Sequence, residues 1–478
     1  MTSLLNTPRG IGLRALRFAA LAVATVGLAA GCAVKAPPAV VDIQKDGMAH
    51  VAAPVVWAAA PAPADRAADN WMQGFGDAQL NALVDEAVLY NTDLRVAASR
   101  VEQARLYAKL AGAALYPTVD GMVRGGGKMS GDNSGLTGGM ISASWEIDLW
   151  GRVRYGRAAA AATAQSAEAD FVFARQALAA TVAKAWMIAI EARLQLAVAN
   201  ELVVTGGELV RLAEARLKVG IGDDLDVAVS RADVGAYRDM VRRLELARSQ
   251  ADRAIELVAG RYPSATVTVA TAFPTLLPDV PAGLPSALLE RRPDVIAAER
   301  RVAAAFYRVG EAEAARLPRI NLTLGVNAIS SELFVLQDRD NPVWSAGAGL
   351  LLPIFRGGAL KTQVEIRTAE QRQAVAEYSA VGLRAFGDVE EALSSELAMR
   401  DRERILSEQL VDSQRAFDIA KARYDIGSGD MRAVQQRQIA LHANHSALLR
   451  VRAEQRVQRI NLHLALGGGF AAPPVPTP

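Results

Sequence analysis

The sequence predicts a mainly helical chain with a transmembrane β-barrel part, built from a duplicated module of long antiparallel helical hairpins that contributes four β-strands in all. Three observations predict it. The chain carries twenty prolines, yet none lies between Pro117 and Pro263 or between Pro353 and Pro473. Proline breaks a helix interior at about 3 kcal/mol, so both windows are kept clear for long helices. Residues 152–219 alone make a rod of roughly 100 Å at 1.5 Å per residue. Next, the second window repeats the first. Arg423-Tyr424-Asp-Ile-Gly427-Ser-Gly-Asp430 follows the pattern of Arg216-Leu-Lys-Val-Gly220-Ile-Gly-Asp223. Finally, short stretches upstream of each window change from helical spacing to strict alternation.

From the N-terminus, Arg9, Arg14 and Arg17 precede the apolar run 18–30 and then Gly31-Cys32. A basic region, a short apolar segment and small residues describe an export signal over 1–31, too short to span a bilayer. Leu28-Ala-Ala-Gly-Cys32 resembles a bacterial lipobox, and Cys32 is the only cysteine. That places a covalent diacylglycerol and an N-acyl chain on Cys32 and implies no other cofactor. Residues 32–70, rich in Ala and Pro, read as an extended, lipid-anchored tether.

The first repeat is expected over 71–262. Apolar residues recur at helical spacing from Leu80 to Ala108, with Asn91-Thr-Asp93 as an internal break and fresh N-cap. Tyr116-Pro117 ends the helix. Strands follow at about 118–127 and 139–150, where Ile141, Ala143, Trp145 and Ile147 alternate with Ser142, Ser144, Glu146 and Asp148. Residues 128–138 form a Gly/Ser/Asp/Asn-rich loop between them. A helical hairpin spans 152–259. A proline-rich join covers 263–285, and the second repeat 286–466, with strands at about 319–329 and 343–353 and a hairpin over 358–466. Residues 467–478 are expected to be disordered.

Ile320, Leu322, Leu324 and Val326 alternate with Asn321, Thr323, Gly325 and Asn327. About ten residues is the length of a tilted strand crossing a bilayer, so those four apolar residues are candidates for a lipid-facing surface. Four strands cannot close alone, because an edge facing lipid leaves unpaired backbone groups at several kcal/mol each. Two copies would give eight strands around a filled interior; three would give twelve around an open bore.

At the hairpin turns Gly220 and Gly427 suit a left-handed helix end. Asp223, Asp224 and Asp226 stand at the start of the returning helix, where carboxylates cap amides and favour the dipole, and Asp430 occupies the same place in the second copy.

Other classes find little support. The formal charge of +2 implies no nucleic-acid partner. His442 and His445 share a helix face, but no Cys or clustered carboxylates complete a metal site. Gly125-Gly-Gly-Lys128-Met lacks the Ser or Thr of a P-loop, and no catalytic Ser/His/Asp arrangement is spaced for one, so an enzyme is not expected.

Leu284-Pro-Ser-Ala-Leu-Leu-Glu-Arg-Arg292-Pro293-Asp294, Leu317-Pro318, the strand exits Asp148-Leu-Trp150-Gly-Arg152 and Pro353-Ile-Phe355-Arg-Gly-Gly358, and both glycine turns resemble the outer membrane factor family, the TolC-like and OprM-like ducts. The lipobox points to the NodT-type lipoprotein branch. The resemblance implies a homotrimer in outer membrane lipid, with a twelve-strand barrel continued by a twelve-helix α-barrel. It implies a periplasmic membrane-fusion adaptor and an inner membrane resistance-nodulation-division pump as partners, and export of small molecules as the function. Asp226 and Tyr424 fall where family gate residues lie, which makes Asp223, Asp224, Asp226, Tyr424 and Asp430 the candidate constriction. Gly429 stands where a basic gate partner can occur, and Ala433 and Gln436 where some members carry aspartates. The alternatives are a duct for type I protein secretion and a non-channel periplasmic coiled-coil adaptor.

Overall fold

The structure, a computed structural model, describes residues 34–51, 54–59, 70–124, 137–276, 279–283, 285–330 and 343–469. The signal segment and Cys32, the loop after residue 124 and the last nine residues lie outside the described residues. The elements run α1 (Val40–Gly47), a 3-10 turn (Trp71–Phe75), α2 (Ala78–Tyr90), α3 (Thr92–Ala113), β1 (Thr118–Arg124), β2 (Thr137–Ile147), α4 (Arg152–Lys218), α5 (Asp224–Val258), α6 (Pro285–Leu288), α7 (Pro293–Ala314), β3 (Arg319–Ser330), β4 (Val343–Leu351), α8 (Ala359–Asp425) and α9 (Met431–Ala465). The duplication is kept to the residue. α4 and α8 have 67 residues each, α5 and α9 have 35 each, and α3 and α7 have 22 each.

Two compact units result. One joins the described residues within 1–49, 101–167 and 297–379; the other joins those within 50–100, 168–296 and 380–478. The first holds the sheet, four antiparallel strands in the order β1-β2-β3-β4. β2 ends at Ile147, three residues sooner than alternation alone implies, because the Asp148 carboxylate accepts the Val153 and Arg154 amides at 3.0 and 2.9 Å and so starts α4. β4 ends at Leu351, two residues before Pro353.

The second unit holds the larger core. Leu80, Val84, Ala87, Ala183, Trp186, Met187, Ile190 and Ile255 bury against one another, and the helices come close because so many contacts are alanine. Asn91 makes the break between α2 and α3: its side-chain oxygen accepts the Leu94 amide and its amide donates to the Val258 carbonyl. The irregular join is pinned by Glu256, whose buried carboxylate accepts the amides of Ala265, Thr266 and Val267 at 2.7, 2.7 and 3.1 Å. Burial pushes this carboxyl up, but the three amides outweigh it and hold the group below its ordinary value.

Two expectations are corrected. Residues 32–70 are not extended throughout: α1 forms directly after Pro37-Pro38 and buries Ile43, and Met48 and Trp57 are buried as well. Asp42 in its first turn and Lys45 in its last complement the helix dipole. In the second unit the Trp57 indole donates to the Gly283 carbonyl at 3.0 Å. The C-terminal tail is ordered through Gly469, whose carbonyl accepts the Asn70 amide at 2.7 Å.

His463 on α9 stacks on Trp71 at 5.2 Å, and burial, with the Arg459 charge beside it, pushes the imidazole down to about 4. A free histidine takes up its proton near 6.5. Between those values the unfolded chain binds the extra proton, so stability falls as pH drops from about 6.5 to about 4, by up to about 1.4 kcal/mol per pH unit. Thermal unfolding followed across that window is expected to show this slope in the native chain and a shallower one in His463→Phe.

Candidate functional site

Two sets of residues stand out, one at the hairpin turns and one on the sheet.

The turns are twins. At the end of α4 the Ile221 amide bonds the Arg216 carbonyl and the Gly220 amide bonds the Leu217 carbonyl; at the end of α8 Ser428 and Gly427 do the same with Arg423 and Tyr424. This is the Schellman arrangement, with Gly220 at φ 76° and Gly427 at φ 81°. Gly222 and Gly429 answer to a second constraint. A Cβ at 222 would lie 2.6 Å from the Leu217 nitrogen, and one at 429 would lie 2.9 Å from the Tyr424 nitrogen. The turn itself therefore excludes a basic side chain at 429. Asp223 and Asp430 then cap the returning helices, accepting the Leu225 and Arg432 amides at 3.0 Å.

Between the twins the side chains differ. Arg216 donates to the Tyr424 carbonyl at 2.6 Å and lays its guanidinium over the Tyr424 ring, 4.5 Å from the centroid. Tyr424 is only 2% exposed, packed with Leu209, Val227, Met431 and Val434. Asp226 is half-buried. Burial, and then the charges of Asp223 and Asp430, push its carboxyl above the ordinary value. The Tyr424 hydroxyl stands beside that carboxylate and offsets part of the rise, but it falls short of hydrogen-bond geometry and has no partner among the described residues. Burial and the Asp226 charge raise Tyr424 in turn.

Four of the five candidate gate residues, Asp223, Asp226, Tyr424 and Asp430, therefore come together with Arg216. Asp224 is exposed on the first turn of α5. Sequence reasoning passed over Arg216, whose partner lies 208 residues away, and also Gln435, which donates to the Ser230 hydroxyl while Ser230 donates to the Asp226 carbonyl. The aligned Arg216 and Arg423 were the available signal.

In the sheet, register puts Ile320, Leu322, Leu324 and Val326 opposite Ile147, Trp145, Ala143 and Ile141 on one side, and opposite Leu350, Ala348, Ala346 and Trp344 on the other. Side chains directly opposite share a face, so these four rows of that face are apolar from β2 to β4. The reverse face carries Ser142, Ser144, Glu146, Asn321 and Thr323. Glu146 receives Arg152 at 2.8 Å. Among the described residues β1 and β4 each pair on one side only, no helix is long and apolar enough to cross a membrane, and no group of three or more His, Cys, Asp or Glu side chains could hold a metal ion.

The model of the outer membrane efflux protein family matches residues 83–261 and 284–468. The chain belongs to that family. It is 32% identical to the pyoverdine export outer membrane protein OpmQ of Pseudomonas putida, over 88% of this chain and 93% of that one. It is 29% identical to the cation efflux system protein CusC of Escherichia coli K12, over 84% and 90%. Among solved structures it is similar to the open-state MtrE outer membrane channel of Neisseria gonorrhoeae, with a TM-score of 0.79, 26% identity and coverage of 92% and 98%. It is also similar to a CusC structure, with a TM-score of 0.77, 27% identity and coverage of 88% and 99%. This outer membrane efflux protein matches the family once in each half of its duplication.

The left-handed glycines give a local test. Gly427→Ala is expected to cost about 1–2 kcal/mol, the strain of an L-residue in that region, and Gly427→Asn less. Hydrogen exchange of amides in 420–434 measures it, with faster exchange in the alanine variant.

Proposed function

We propose that three copies of this outer membrane efflux channel close a twelve-strand barrel continued by twelve helical staves, and that the resulting duct carries small molecules delivered by a periplasmic adaptor and an inner membrane resistance-nodulation-division pump. The observation that carries this reading is the sheet. It combines a continuous apolar face with two open edges, and in lipid unpaired backbone groups at those edges are not tolerated. Barrel closure by sister strands satisfies them, and twelve strands rather than eight leave a bore.

The internal duplication supports the same reading. Where the two halves of one chain meet, β2 pairs β3, Trp150 donates to the Pro318 carbonyl at 2.8 Å, and Tyr155 of α4 meets Tyr307 of α7. Arg152 opens α4 and Ala359 opens α8, an offset of 207; Thr92 opens α3 and Pro293 opens α7, an offset of 201. Exposed Ile366 on α8 thus answers to Ala159, which is 0% exposed on α4. Exposed Leu106 on α3 answers to Tyr307 on α7, which is half-buried. The surfaces left open in one half correspond to surfaces covered in the other, as a seam between neighbouring copies requires.

In this reading Ile320, Leu322, Leu324 and Val326 face lipid, and Cys32 carries the acyl anchor. The turn cluster of Asp223, Asp226, Tyr424 and Asp430 lines the constriction, where threefold symmetry gathers its carboxylates and draws cations. The cargo belongs to the pump. Relatives of similar identity are named for pyoverdine export, cation efflux and antibiotic efflux, so a shared duct serves unlike substrates.

Purified mature protein in detergent is expected to have the mass of a trimer by light scattering and to conduct in planar bilayers; a stable monomer that forms no channel overturns the duct. In the same bilayers Asp226→Asn is expected to lower the cation-to-anion permeability ratio at neutral pH. It should also remove the step in that ratio as pH falls through the raised Asp226 value. An unchanged ratio takes Asp226 out of the constriction.

A further inference from the structure

Where the strands hand over to the helices, α3, α4 and α7 form a groove of about 570 Å³. One wall is apolar, from Tyr107, Leu110 and Ala111. The other carries Arg152, Arg157 and Arg308, with the carboxylate of Glu311 among them. Two of these guanidiniums are neutralised. Arg152 pairs with Glu146 at 2.8 Å and Arg308 with Glu311 at 2.7 Å. Arg157 is exposed and has no ion pair among the described residues. Its Cδ and Nε lie alongside Gly112, within contact distance of where a Cβ would stand, so its stem is laid across α3. Glu146 belongs to the polar row of β2, which puts the Arg152 end of the groove on the side of the sheet's polar face.

A guanidinium supplies a planar fork of donors matched to phosphate or carboxylate, and of the three only that of Arg157 is not already met by a carboxylate among the described residues. The apolar wall beside them suits an alkyl or aromatic body. We propose that this groove binds amphiphilic organic anions, with the phosphate or carboxylate held by Arg157 and the apolar part lying along Tyr107 and Leu110. Its placement along the bore rests on the duct reading, in which three such grooves would line the wall inside the closed barrel's polar side; binding itself does not.

The test uses the full mature chain in detergent, with 1-naphthyl phosphate as probe and neutral 1-naphthol as its control, by equilibrium dialysis. The phosphate is expected to bind about tenfold tighter than the naphthol, and Arg157→Gln to weaken the phosphate by about tenfold while leaving the naphthol unchanged. Ala111→Phe, which fills the groove and leaves its cations in place, is expected to abolish binding of both. Equal binding by native and Arg157→Gln protein, or no binding by the native protein, overturns the proposal. Light scattering on the same samples separates the two readings. A monomer that binds the phosphate sinks the duct and leaves the groove, whereas a conducting trimer that does not bind sinks the groove alone.

Discussion

Among the described residues each outer strand of the four-stranded sheet pairs on one side only, leaving a row of amides and carbonyls beside a face made of Ile, Leu, Val, Ala and Trp. The rest of the molecule is arranged around the need to satisfy that row. Water could do it for a soluble sheet, but then the apolar face from Ile141 to Trp344 would lie open to solvent without reason. Lipid suits the face and forbids the edges. Other strands of the same kind resolve both demands, and this chain already contains one seam of that kind, between β2 and β3.

What was legible in the sequence follows from how local each signal is. Strands and long helices announce themselves by period, so Ile320 to Val326 and the proline-free windows could be read directly. The helix at 40–47 could not. Its surroundings are Ala and Pro, and its burial rests on single residues such as Ile43 and Met48 spaced too far apart to make a pattern. Within α8 spacing alone misleads. Val389 and Leu393 are buried, and Leu397 continues their step of four yet is 43% exposed, while Glu396 beside it is buried. Glu396 is accepted inside because it meets Arg459, itself buried, and Arg400. Apolar spacing cannot detect an ion pair made with another helix.

The Arg292-Pro293-Asp294 segment, one of those that carry the family resemblance, is likewise structural. Arg292, 3% exposed, bonds Asp294 at 2.7 Å, Asp388 of α8 at 2.8 Å and the Ala465 carbonyl at the end of α9 at 3.3 Å. One guanidinium thus gathers the start of α7, the middle of α8 and the exposed carbonyls of α9. Pro293 fits the first position of α7, where a missing amide hydrogen costs nothing. These residues say which fold the chain adopts and nothing of what passes through it.

The hairpin turns separate fold from function more finely, because the duplication supplies an internal control. Positions that build the turn are the same in both copies: glycines at 220 and 427, glycines at 222 and 429, and capping aspartates at 223 and 430. Positions that face one another between the copies differ. Leu217 stands where the second copy has Tyr424, and Asp226 where it has Ala433. Helix ends with one backbone geometry have no need of that difference, so it is owed to the contact between turns. Arg216 shows the same break, since it bridges to Tyr424 while its counterpart Arg423 has no such aromatic partner at Leu217. A single half carries only one member of the Asp226–Tyr424 pair, and two identical halves would carry the same member twice. The chain therefore needs its halves alike in backbone and unlike in these few side chains, and that requirement locates the site more sharply than the family likeness does.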